Sequence, residues 1–239
     1  MSKYIKKVLL IEENGFTIIE LMIATSILAV LLLISSVIMI GIGNLFEKGI
    51  NVTNLQNDSR NIISDLSSDI EFSGTQMSAN SYSYSYSGGP TKVTVYAECF
   101  GNDRYSYVLG FPPSGWPHTI WKDVMQTQGS CDPLNIGLAT PSCSGYTQGG
   151  CIEPLAGTGS ELAGNNMHII SLSIIPYNNQ LYGVNLDMVL GQQDLFETSK
   201  LTGKPITDPY NNNYICSNNV GQQFCASSSL SALAVERLN

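Results

Sequence analysis

The chain has 239 residues and a formal net charge of −8, and no Lys/Arg cluster follows Lys7, so sequence-independent binding to nucleic acid is disfavoured. Only 13% of residues are charged, low for a soluble protein, and the apolar residues gather in residues 16–43 while the remainder is rich in Ser, Asn, Gly and Tyr. The length fits either one medium domain with a long helix or two small domains.

Lys3, Lys6 and Lys7 precede the apolar run, and a Lys bias on that side holds the N-terminus in the cytoplasm. From Leu21 to Ile42 there is no charge, and as a helix this stretch spans about 33 Å at 1.5 Å per residue, enough for a bilayer core. The chain therefore reads as a single-pass membrane protein of the cytoplasmic membrane, N-terminus inside and the rest outside.

A secretory signal is cut after its apolar stretch, at small residues. Here the punctuation comes before it: Asn14-Gly15-Phe16-Thr17-Ile18-Ile19-Glu20-Leu21 puts Gly at the foot of the run and a lone carboxylate five residues on. This string resembles the type IV prepilin signal. The resemblance implies cleavage between Gly15 and Phe16 by a membrane prepilin peptidase, N-methylation of Phe16, and retention of the apolar helix in a filament that then leaves the membrane. A carboxylate inside a membrane costs about 2.5–3.5 kcal/mol on insertion scales, so Glu20 asks for a partner. On this reading cleavage creates one, the α-amino group of Phe16, within the chain or on a neighbouring subunit during filament assembly. The proline that interrupts this helix in many major pilins is missing; Ser36-Val37-Ile38 stands there, and Gly41 and Gly43 are the nearest weak points.

Beyond the membrane, Leu55, Ile62, Leu66 and Ile70 recur at helical spacing, with Asp58, Arg60, Asp65, Ser68 and Asp69 on the other faces. Ser73-Gly74 ends the pattern. Leu55 through Arg60, the two spaced Asp65 and Asp69, and the closing Gly74 resemble the helix end of PilW-like minor pilins and J-type pseudopilins of type II secretion, rather than a major pilin. Four segments follow: residues 1–15 as cleaved leader, 16–43 as transmembrane helix, 44–74 as its extension, and 75–239 as a β-rich pilin head.

Ser81 to Ser87 alternates Ser and Tyr and is read as a loop because Gly88-Gly89-Pro90 follows. Tyr82, Tyr84 and Tyr86 could then form an adhesive surface, or the run could be a solvated linker. Residues 91–97 and 104–111 read as a hairpin around Gly101-Asn102-Asp103, residues 120–125 as a weaker strand, and residues 168–175 and 181–190 as a second hairpin. Residues 126–166 read as a long loop region holding three cysteines. A short helix or strand is expected at residues 230–238. The fold class is α+β, type IV pilin-like: a long N-terminal helix packed on an antiparallel sheet, with long disulfide-tied loops.

All six cysteines lie beyond the apolar run, in the part read as exported, which favours disulfides. Nearness favours Cys216 with Cys225 and Cys143 with Cys151, leaving Cys99 with Cys131; six free thiols are the alternative. No Cys-x-x-Cys pair, zinc-protease motif, Gly-x-Ser-x-Gly elbow or phosphate loop occurs. His118 and His168 read as structural or exposed, and a calcium site at Asp208, Asn211 and Asn212 is the one metal alternative. The expected role is a non-enzymatic minor pilin without cofactor, priming or capping a type IV pilus-like filament. Its expected partners are the prepilin peptidase, other major and minor pilins through the N-terminal helix, and the membrane assembly platform. A type II secretion pseudopilin and a tip adhesin or DNA-capture subunit are the alternatives, the last weakened by the acidic charge.

Overall fold

The computed structural model describes residues 17–73, 78–85, 92–126, 130–143, 151–177, 180–196, 215–217 and 221–237. Gly15, Phe16, Gly74, Tyr86 and the Asp208–Asn211–Asn212 group lie outside these residues. The described chain falls into two compact units, one ending at Leu45 and one beginning at Phe46.

Helix α1 runs from Ile18 to Phe72 without a break, and Gly41, Gly43 and Gly49 sit within it with open space around them. From Phe46 on, α1 buries Leu55, Ser59, Ile62, Ile63, Leu66 and Ile70. The apolar stripe read from the sequence is this buried face, which Ile63 and Ser59 complete. Ser59 does not bury an orphan hydroxyl there, because it donates to the Leu55 carbonyl at 2.7 Å.

The head is built of two antiparallel sheets. The first has the order β1-β2-β3-β4-β5: β1 Ser78–Ser85, β2 Lys92–Phe100, β3 Asp103–Val108, β4 Ile120–Val124 and β5 Ser160–Glu161. The second is β6-β7-β8: β6 Met167–Pro176, β7 Leu181–Leu190 and β8 Ala226–Val235. One expected sheet is thus two. They are joined at the end of β3, where Leu109 bridges Ile169 in parallel and Gly110 N–H donates to the Ile169 carbonyl at 2.7 Å, and again before β4, where the Thr119 hydroxyl donates to the Met167 carbonyl at 2.8 Å. The central core joins the α1 face to Phe100, Tyr105, Tyr107 and Ile120 of the first sheet and to Ile169, Val184, Leu186 and Met188 of the second. This is the pilin-like α+β arrangement of a long helix on antiparallel strands.

Both expected hairpins are present. Gly101 turns β2 into β3 with φ 62°, a backbone region that glycine enters without a Cβ penalty. The Ser-Tyr run is a correction. Residues 78–85 form edge strand β1, paired in register with β2 from Ser78↔Cys99 to Ser85↔Lys92. Alternation with period two is the signature of a strand with one buried face. Tyr84 is buried among Val93, Val95, Val108, Leu134 and Ile136 and donates to the Pro133 carbonyl at 2.6 Å, so it is core and not adhesive surface. Leu134 and Ile136 come from the long loop region, which covers the face of the first sheet opposite α1.

Three side chains of the first sheet tie it down. Tyr105 donates to Asp69 of α1 at 2.5 Å, and Lys122 pairs with the same carboxylate at 2.7 Å. Arg104 is wholly buried: its Nε and Nη2 meet the two Asp123 oxygens at 3.0 and 2.7 Å, and its Nη1 donates to the Asp132 carbonyl at 2.8 Å. Disulfides join Cys99 to Cys131, Cys143 to Cys151 and Cys216 to Cys225, the partners that nearness in sequence favours.

Glu98 accepts from the Tyr107 hydroxyl at 3.4 Å, while its Oε2 is buried without a hydrogen bond. Burial outweighs that bond and pushes the carboxyl from 4.5 up to about 7. The folded state therefore holds this proton more tightly than the unfolded chain. Its stabilising share is full below about 4.5 and is lost as pH rises towards 7. Glu98→Gln is expected to remove that slope: urea midpoints of the parent, but not of the variant, should fall across this window. Equal slopes would refute it.

Candidate functional site

The first unit supplies the candidate site. Thr17 is the residue before α1 and Glu20 the third residue of the helix. The Thr17 backbone N–H donates to Glu20 Oε2 at 3.0 Å and the Thr17 hydroxyl donates to the same oxygen at 2.8 Å. In return the Glu20 N–H donates to Thr17 Oγ1 at 3.3 Å. This reciprocal pair is a capping box, which satisfies two of the donors a helix leaves unpaired at its start and sets a carboxylate against the positive end of the helix dipole. The sequence reading assigned Glu20 a partner in the Phe16 amine and overlooked Thr17. The Thr-x-x-Glu spacing was the available signal.

From Ile18 to Leu45 the large apolar side chains are exposed, Ile18 by 81% and Leu45 by 72%. Water does not favour such a surface, and among the described residues this is the one helix long and apolar enough to cross a membrane. The four hydroxyls in the span are all bonded within the helix: Thr25 to the Met22 carbonyl, Ser26 to Ile23, Ser35 to Leu31 and Ser36 to Leu32. Hydrocarbon offers no partner to a polar atom, so internal pairing is what a lipid-facing helix requires.

The residues of the second motif are used differently from one another. Asp69 holds Tyr105 and Lys122, and Asp58 accepts the Gly164 N–H at 3.0 Å, while Arg60 and Asp65 are exposed. At the helix end, Glu71 takes the Arg237 N–H at 3.0 Å on its carbonyl and pairs with the guanidinium at 3.5 Å. The histidines stand in structural surroundings. His118 Nδ1 lies 3.1 Å from Glu161, which also accepts from the backbone N–H groups of Thr119, Ile120 and Ala163. His168 packs against Phe111 with ring centroids 5.1 Å apart, and its burial pulls the imidazole pKa down, towards the neutral form.

The prokaryotic N-terminal methylation motif matches residues 12–42. That range covers Gly15, Phe16, the Thr17–Glu20 box and the apolar span. The chain thus carries a prepilin-type N-terminal segment. Such a motif implies processing by a prepilin peptidase and assembly with other pilins. No curated protein and no solved structure matches the chain.

Proposed function

We propose that this chain is a minor pilin, a non-enzymatic subunit that primes or caps assembly of a type IV pilus-like filament. The methylation motif carries the reading, and the capping box gives it a mechanism. In the isolated chain Glu20 is held by Thr17, which offsets part of the cost of a carboxylate in an apolar setting. Cleavage after Gly15 would place a free amine on Phe16, one residue from Thr17. Docking of another subunit lets a cationic amine replace neutral donors on Glu20, and a charge-assisted bond is about twice as strong as a neutral one. The exchange sets the axial register between subunits. The PilW-like pattern from Leu55 to Gly74 supports a minor rather than a major subunit.

Mass spectrometry of the assembled protein should give a mature N-terminus at N-methylated Phe16; a retained residue 1–15 segment would overturn the reading. Glu20→Ala is expected to cut recovery in sheared filaments at least ten-fold, while the amount of chain in the membrane is unchanged. Wild-type recovery of that variant would refute the exchange. Deleting the chain should lower filament number. Lost exoprotein secretion with filaments intact would favour the type II secretion pseudopilin instead.

A further inference from the structure

The head carries a groove of about 860 Å³ where the two sheets meet, inside the size range of ligand sites, about 300–1,000 Å³. Its floor is the start of β2 and the end of β3, one wall is residues 111–116, and the other is the pair of turns flanking β6 and β7. Three half-buried rings line it, those of Tyr96, Phe111 and Trp116. Trp116 is seated by Gly137, where an added Cβ would come within 2.7 Å of the indole. The lining also holds three exposed carboxamides, Asn166, Gln192 and Gln193. No side-chain hydrogen bond occupies any of the three in the described structure. Asn166 is fixed in the left-handed region at φ 59°, and its carbonyl accepts the Gly191 N–H at 2.9 Å, which clamps the two turns together.

The charge of the lining narrows the ligand. The chain carries −8, yet among the described residues no carboxylate lines this groove, and Lys92 is the one cationic side chain among them, beside His168, whose burial favours the neutral imidazole. A cation finds no counter-charge there, and a polyanion finds a single lysine. Carboxamides both donate and accept, as sugar hydroxyls do. Aromatic faces give the apolar C–H face of a pyranose ring a flat surface at low entropy cost. We infer that this groove binds a neutral saccharide chain through stacking on Tyr96, Phe111 and Trp116 and hydrogen bonds to Asn166, Gln192 and Gln193. The inference goes beyond the filament role and stands independently of it.

The full chain in detergent micelles, fluorescently labelled, is applied to an array of neutral and acidic glycans, and the strongest neutral hit is titrated in solution. Retention on neutral glycans is expected, with affinity falling at least ten-fold in the Gln192→Ala, Gln193→Ala double variant. Both residues are exposed, so the variant keeps its melting temperature, and it should still enter filaments. Trp116→Phe should keep more affinity than Trp116→Ala. No retention, retention on acidic glycans only, or an unchanged affinity in the double variant would each overturn the proposal.

Discussion

Asp123→Asn is expected to destabilise the head by about 3–5 kcal/mol, because it leaves the buried Arg104 guanidinium without its counter-charge. Both side chains are wholly inaccessible to solvent, so water cannot replace the lost partner. Asn keeps the shape and one acceptor but removes the bidentate charged geometry. The measurement is urea unfolding of the full chain in detergent, followed by tryptophan fluorescence. Replacing both partners, Arg104→Met with Asp123→Leu, should recover much of the loss, since an apolar pair carries no desolvation cost. A single substitution that costs under about 1 kcal/mol, in the range of exposed pairs, would show that the pair does not lock the sheet.

The second large effect belongs to the disulfide between Cys99 and Cys131, which closes 32 residues of chain. Converting both cysteines to serine should cost about 2–5 kcal/mol. Cys99 lies directly across from Arg104 in the β2–β3 register, and Cys131 precedes Asp132, whose carbonyl Arg104 holds. The crosslink therefore holds this loop to β2, and Arg104, fixed by its ion pair with Asp123, holds the same loop to the neighbouring β3. Their losses are expected to be non-additive, because the loop released by one can no longer be held by the other. A double-mutant cycle with Asp123→Asn measures this directly. Strict additivity would mean that the two anchors act on separate parts of the head.

What was legible in the sequence was local. The stripe of Leu55, Ile62, Leu66 and Ile70 follows from helical period, and the two hairpins from β-rich runs around turn residues. The prepilin-like start was legible because Gly15, Phe16 and Glu20 stand together in one short string. The Ser-Tyr strand is hidden in the sequence by the Gly-Gly-Pro that follows it, a composition that reads as a loop. Other features depend on pairings that no short window contains. Arg104 and Asp123 are 19 residues apart on neighbouring strands, and nothing in either segment marks them as partners. The junction of the two sheets depends on the contact of Leu109 with Ile169, and the groove on turns from three separate places in the chain.

The hydroxyls of Thr25, Ser26, Ser35 and Ser36 bear on how such a helix could travel. Each is already bonded to a carbonyl of its own helix, so moving the span from lipid into a bundle of like helices breaks no polar contact along it. The transfer exchanges one hydrocarbon environment for another, at little cost in either direction. On the proposed filament role, Glu20 would be the one ionisable side chain between Ile18 and Gly43 that tells the two surroundings apart, the latch of an otherwise frictionless slide.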